Sequence, residues 1–356
     1  MSTIILAISA EVFYTRIAVS KDESIIYQRD INHRKEDFLL MDNVTEQLPF
    51  RRDAIMEQLS QDAVDIKSIE YVVAEGGLLK PCESGVYDID KIMIGDMIDG
   101  VGGEDVINLS GLLAFTIAST LRVKSLVVDP ASVDERSEIA KFHSHPITRK
   151  KSLFHALIHK YLSNKYAMSV NRKYEDMNII FCHVGDRNVS VAAHKKGRVV
   201  DVNQAYMGFG PMGFFETGTM PVSNVLDMMF KKHYTKEEML KLINRNATFN
   251  FYVSTNSCEE IMSSLKNDRR TNEILESMAY QISKEIASHY ATLDAQIDAV
   301  ILSGKIFSDN RFFKYLSKRI ENLAPIQPYP KDYTIEAMVH NVLQIVNTGK
   351  KIKTYA

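Results

Sequence analysis

The sequence predicts an α/β protein built from two similar halves, and three observations carry that reading. Ile4 to Ile8, Arg16 to Ser20 and Ser24 to Arg29 are short apolar runs separated by turns, which read as a three-strand meander. The pattern returns at Asn178 to His183, Val189 to His194 and Arg198 to Val202, with Lys196-Gly197 as a hairpin turn. Each meander is followed by segments of helical period and a further apolar run. A duplicated ribonuclease-H-like domain has this layout, and 356 residues exceed what one ordinary core accommodates.

The elements follow in order. Phe50 to Leu59 and Asp90 to Ile98 carry apolar residues at helical spacing. Ser68 to Ala74 reads as a buried strand ending in the Gly76-Gly77 turn. Asn108 to Leu121 is a strongly apolar helix and Ser125 to Asp129 a strand. A helix over Ser152 to Tyr166 begins the second half, so the expected domains are 1–147 and 148–356, with a soft junction near His145-Pro146. Lys236 to Asn244 and Asn272 to Leu293 read as helices, and Ala299 to Leu302 as a strand ending at Ser303-Gly304-Lys305. A closing helix over about 335–350 is expected to pack against the first domain.

Composition excludes several function classes. Hydrophobic residues at 45% and charged residues at 25% are those of a globular protein. A net charge of −2 gives no reason to expect nucleic acid or an anionic membrane as partner. Three widely spaced cysteines, Cys82, Cys182 and Cys258, fit reduced thiols and a cytoplasmic setting. The first twenty residues contain Glu11 and Arg16 without a basic start before an apolar run, so no signal peptide is expected. No apolar stretch has bilayer-spanning length.

Two stretches suggest a site. A tight turn at Gly185, between two strands of one sheet, could present backbone N–H groups to a phosphate. The loop from Gly208 to Pro221, with further glycines at 210, 213 and 218, could hold a substrate or phosphate. His155 and His159, like His143 and His145, could contribute to a zinc site, but neither pair has an evident third ligand, and no metal is assigned.

Several segments resemble the butyrate kinase family, in collinear order over nearly the whole chain. They are Gly76-Gly-Leu-Leu-Lys-Pro-x-Glu-Ser-Gly85, Val128-Asp-Pro130 with Asp134-Glu135, Arg149-Lys-Lys-Ser-Leu-Phe-His-Ala-Leu157, Val200-Asp-Val-Asn203, Gly208-x-Gly210-Pro211 and Thr217-Gly-Thr-Met-Pro-Val222. Tyr329-Pro330 and Glu336-Ala337 complete the series. The resemblance implies two domains of the actin, Hsp70 and sugar-kinase type around a central cleft. It also implies Mg-ATP as the phosphoryl donor, a short-chain carboxylate or acyl phosphate as partner, and a homodimer. Phe154 and His155 resemble the family pair that forms the acyl pocket and meets the transferring phosphoryl group. His183 resembles a second cleft histidine. Asp129 and Glu336 resemble acids that support the metal or an arginine, and Gly76 and Gly77 fall in the substrate-side loop.

The chain departs from the family pattern at five loops. Ser9-Ala-Glu-Val-Phe-Tyr14 stands where the family has Asn-Pro-Gly-Ser-Thr-Ser. Glu75 and Glu216 stand where the family has the two arginines that face the transferring group. Gly185-Asp186-Arg187-Asn188 replaces Gly-Gly-Gly, one residue longer, and Ser303-Gly304-Lys305 replaces Thr-Gly-Gly in the nucleotide half. An acyl kinase brings two anions together, so positive charge at the reacting group carries much of the rate. Reversing that charge predicts a family member that is inactive or severely impaired and a poor binder of Mg-ATP. Alternatively, Glu75 and Glu216 bind a metal or cationic ligand, or pair with Arg187 or Lys305. Two other functional readings stay open: a working acyl kinase with a rearranged cleft, and a non-catalytic subunit that pairs with an intact paralogue.

Overall fold

A computed structural model describes residues 2–38, 41, 43–145, 148, 150–255, 257–263 and 266–356. Pro146 and Ile147 of the expected junction, and Arg149 of the motif quoted above, lie outside the described residues. The chain divides into two compact units. One holds residues up to Asp134, Ala156–Ile158 and Tyr333–Ala356; the other holds Glu135–His155 and His159–Asp332.

The first unit carries a six-stranded sheet. β1 (Ile4–Ala10) pairs antiparallel with β2 (Tyr14–Lys21), and β2 with β3 (Ser24–Asn32). β4 (Tyr71–Ala74) lies parallel to β1. β5 (Val86–Asp88) and β6 (Lys124–Val128) complete the order β3-β2-β1-β4-β6-β5. β4 is shorter than the expected Ser68–Ala74 because Ile66–Ser68 form a 3-10 turn. Almost every residue of β1 is buried, as in a strand covered on both faces, whereas β3 is an edge strand with mostly exposed side chains. α1 (Leu48–Gln61), α2 (Lys91–Ile98) and α3 (Asn108–Leu121) pack around this sheet. Asp90 caps α2 by accepting from the Met93 N–H.

In the second unit, α4 (Glu138–Lys141) precedes α5 (Ala156–Ser169). β7 (Asn178–Val184), β8 (Val189–Lys195) and β9 (Arg198–Val202) form the second antiparallel meander. Lys196 and Gly197 both take positive φ, the conformation of a two-residue hairpin turn. β10 (Ala299–Ser303) and β11 (Ile326–Tyr329) add in parallel, giving β11-β10-β7-β8-β9. Without β5, the first sheet reads β3-β2-β1-β4-β6, the same succession of two antiparallel and two parallel pairings. The duplication read from the two meanders is therefore present in the topology.

α6 (Val222–Phe230), α7 (Lys236–Asn244), α8 (Phe249–Val253) and α9 (Cys258–Ser263) follow β9. α10 (Arg269–Thr292) and α11 (Asn310–Ile320) bury stripes such as Phe312, Leu316 and Ile320 against the second core. α12 (Thr334–Thr348) packs on β1 and β4 of the first unit. Beyond it, Lys353 pairs with Tyr87, and the buried Tyr355 hydroxyl donates to Asp96 Oδ2 at 2.7 Å.

Candidate active site

The residues singled out from the sequence fall into two groups, one in each unit. In the first, Ser9 is the last residue but one of β1, and its hydroxyl donates to Glu75 Oε1 at 2.7 Å. Glu75 follows β4 directly, so the parallel pairing of β1 and β4 brings the two strand ends side by side. The loop after β1 is closed by a residue that was not among the candidates. Arg51, fully buried in α1, donates to the carbonyl oxygens of Glu11 (2.8 Å), Val12 (3.1 Å) and Tyr14 (3.1 Å) and to Thr15 Oγ1 (2.9 Å). Its remaining donors meet Gln47 Oε1, and its plane lies over the Phe38 ring. The loop carbonyls are thus turned onto a guanidinium.

Gly76 and Gly77 are buried and packed against protein. A Cβ on Gly77 would come within 2.9 Å of the Asn108 Cα at the start of α3. Asp129 is buried, takes φ +39°, and accepts at Oδ1 from the Ser84 hydroxyl and the Gly85 N–H, each at 2.7 Å. Glu336 is exposed in the first turn of α12, where a carboxylate suits the positive end of the helix.

In the second unit the expected helix over Ser152 to Tyr166 begins only at Ala156. His155 is the residue before the helix rather than part of a helix face. The preceding segment is held to the chain beyond β9, by Ala205 N–H on Leu153 O and Lys151 N–H on Gln204 Oε1, which preclude helical bonding there. Phe154 is fully buried, edge-on to the His159 ring. The His155 ring lies 4.5 Å from that of His183 and 5.4 Å from that of Tyr206. His155 Nδ1 is 2.8 Å from Ser190 Oγ, and His183 Nδ1 is 3.2 Å from Ser303 Oγ. Burial holds both rings neutral: it lowers His183 to about 4 and His155 well below the ordinary histidine value, with Arg187 and His183 adding to the effect on His155.

Gly185–Asn188 forms the β7–β8 turn, closed by the Gly185 N–H on Asn188 O at 2.9 Å. Glu216 is 2% exposed, and its Oε1 accepts from Asn188 Nδ2 at 3.2 Å. The loop from Gly208 to Pro221 is folded onto this turn: a Cβ on Gly213 would run into the Arg187 carbonyl oxygen. Gly304, with φ +131°, sits against the Val184 carbonyl in the same way. Lys305 Nζ is 3.7 Å from Asp186 Oδ2 and 4.0 Å from Glu259 Oε1. The Gly185–Asn188 turn and the Gly304–Lys305 loop therefore meet through an ion pair. Among the described residues no group of three or more His, Cys, Asp or Glu is placed to hold a metal ion. No described helix is long and apolar enough to cross a membrane.

Arg51, Ser190, His194 and Tyr174 were missed from the sequence. Arg51 shares a helical stripe with Ile55 and Leu59, and a charge on such a stripe signals a buried, fully engaged cation. Ser190 and His194 lie in a strand whose other residues before Lys195 are apolar, the corresponding signal for a buried polar network.

The model of the acetokinase family matches residues 139–325. The sequence is 35% identical to butyrate kinase 2 of Clostridium acetobutylicum over 342 residues, covering 96% of each chain. It is 32% identical to a probable butyrate kinase of Clostridium botulinum over the full length of both. The chain belongs to the acetokinase family, among the butyrate kinases. This acetokinase-family chain also shares its fold with solved structures. Porphyromonas gingivalis acetate kinase matches with a TM-score of 0.74 at 14% identity, covering 97% of this chain and all of the other. The propionate kinase of Francisella tularensis matches with 0.72 at 13% identity, covering 95% and 98%. The two-domain α/β expectation is thereby met.

Proposed function

We propose that this butyrate kinase family protein has lost all or nearly all of the family reaction, ATP + butyrate = ADP + butyryl phosphate, while keeping the scaffold. One observation carries the reading. Both positions at which the family resemblance expects arginine are glutamates, and each is tied into a loop, Glu75 by Ser9 and Glu216 by Asn188. Each substitution exchanges attraction for repulsion of a transferring phosphoryl group. Loss of one such arginine costs on the order of 10³ to 10⁵ in rate.

The residues present fit Mg-ATP poorly. The loop after β1 turns three carbonyl oxygens onto Arg51, and the cation of Lys305 faces Asp186. A triphosphate needs donors and positive charge turned toward it, and these loops spend both on the protein itself. In keeping with the family resemblance, the protein is read as a cytoplasmic homodimer. His155 and His183 offer neutral imidazoles to a small carboxylate or acyl phosphate.

The test is ADP release in a coupled assay with butyrate, acetate, propionate and isobutyrate, run beside a relative that has both arginines. Background rates are expected throughout, and Mg-ATP should leave the thermal midpoint unchanged. Saturable turnover with any of the four acids overturns the proposal.

A further inference from the structure

Behind His155 runs a buried chain of polar side chains for which the family reading has no use. His155 Nδ1 is 2.8 Å from Ser190 Oγ, and Ser190 Oγ is 2.8 Å from His159 Nε2. His159 Nδ1 is 3.2 Å from His194 Nε2, and His194 Nδ1 is 2.7 Å from the Tyr174 hydroxyl, with Ser163 Oγ at 3.3 Å. Ser190, His159 and His194 have no solvent exposure, and Tyr174 is also buried. Burial and the mutual proximity of the rings hold His155, His159 and His194 neutral, so each has one N–H and one lone pair. In such a chain every donor must point the same way, and whichever end is fixed fixes all the rest.

The fixed end is Glu216. A carboxylate only accepts, so the Asn188 amide nitrogen faces Glu216 and its oxygen is left for the other side. On that side the Asn188 Oδ1 and the His155 Nε2 flank Gly185 together, 3.5 and 3.1 Å from where a Cβ on that glycine would sit, which brings the amide oxygen beside the ring. The ring nitrogen available to it is Nε2, because Nδ1 is engaged by Ser190. His155 Nε2 therefore carries the hydrogen. Nδ1 accepts from the Ser190 hydroxyl, Ser190 accepts from His159 Nε2–H, His159 Nδ1 accepts from His194 Nε2–H, and His194 Nδ1 accepts from Tyr174.

We infer that Glu216, acting through Asn188, makes His155 an obligate hydrogen-bond donor at the Gly185–Asn188 turn, with Ser190, His159, His194 and Tyr174 as positioning residues behind it. An oxygen acceptor, such as that of a carboxylate, meets His155 by sharing or displacing the Asn188 oxygen at Nε2–H, and His155 cannot serve as a base there, since its one lone pair is buried against Ser190. The carboxylate assignment rests on the family reading. The tautomer does not, and its measurement reads no turnover, so failure of one leaves the other standing.

Long-range ¹H–¹⁵N correlation spectra of histidine-labelled full-length protein read each tautomer directly. At neutral pH, His155, His159 and His194 are each expected as a single neutral species protonated at Nε2; a proton on Nδ1 of His155 overturns the inference. Glu216→Gln lets the Asn188 amide turn either way. His155 and His159 should then lose their single-tautomer state, and an unchanged His155 refutes the role given to Glu216. Adding Ser190→Ala should confine the change to His155; a His159 that still responds rules out the relay. Butyrate added to the unmodified protein should move the His155 Nε2–H signal, and no movement removes the carboxylate assignment.

Discussion

Replacing Arg51 by methionine tests how the loop after β1 is held. The guanidinium is fully buried, and its N–H···O contacts between 2.8 and 3.1 Å include two to Gln47, three to loop carbonyls and one to Thr15. Hydrogen bonds to a charged group contribute about 1.5–3 kcal/mol each when counted singly, but contacts that share one group do not add. Methionine fills most of the volume, so the loss is that of a buried polar centre whose partners are stranded, about 3–5 kcal/mol. Typical domains have only about 5–15 kcal/mol in hand. Arg51→Lys should lose nearly as much, because an ammonium cannot span acceptors on both α1 and the loop. Urea unfolding of both variants provides the check, together with limited proteolysis of the loop at residues 11–14. A loss below about 1 kcal/mol in both variants, with the loop still resistant, would show that Arg51 does not hold it.

Three further outcomes are expected. His183 is neutral when folded, with a pKa of about 4, so between pH 6.5 and 4 the unfolded chain binds the extra proton and stability falls with the pH. This ring alone accounts for up to about 3 kcal/mol, and His155, His159 and His194 shift in the same direction; a urea midpoint that stays flat across that window contradicts the burial argument. The Glu75→Arg/Glu216→Arg double variant should remain at background in the coupled ADP assay, because Arg51 still closes the first loop and Asp186 still faces Lys305; butyrate-dependent turnover would locate the whole defect at the two glutamates. Asp186→Asn removes the carboxylate that lies 3.7 Å from Lys305 Nζ, so Mg-ATP should raise the thermal midpoint of the variant more than that of the parent. Equal shifts would mean that Lys305 does not meet the nucleotide.

The meanders were legible because strand alternation and the Lys196-Gly197 turn are local signals, and their repetition revealed the duplicated topology. The late start of α5 was not legible: Ser152 to His155 have ordinary helical composition, and the segment is instead held by a backbone bond from Ala205 to Leu153 and by the Gln204 side chain on the Lys151 N–H. β11 contains Pro328, which argues against a strand, and survives as an edge pairing with β10 alone. The exchange of arginine for glutamate at positions 75 and 216 could be read in one dimension. Its consequence for His155 could not, because it passes through Asn188, and residues 155, 188 and 216 meet only when the second unit is folded.

The first unit is discontinuous, and this matters during synthesis. Its sheet is encoded in the first 134 residues, yet α12, which covers β1 and β4, and the Lys353–Tyr355 segment, which fastens the β5 region, emerge only after the second unit. On the ribosome the amino-terminal sheet must wait, with one apolar face uncovered, while almost two hundred intervening residues are translated and can fold by themselves. A stop codon shortly before residue 333 should therefore yield a product in which the later-made unit is sound and the earlier-made one aggregates.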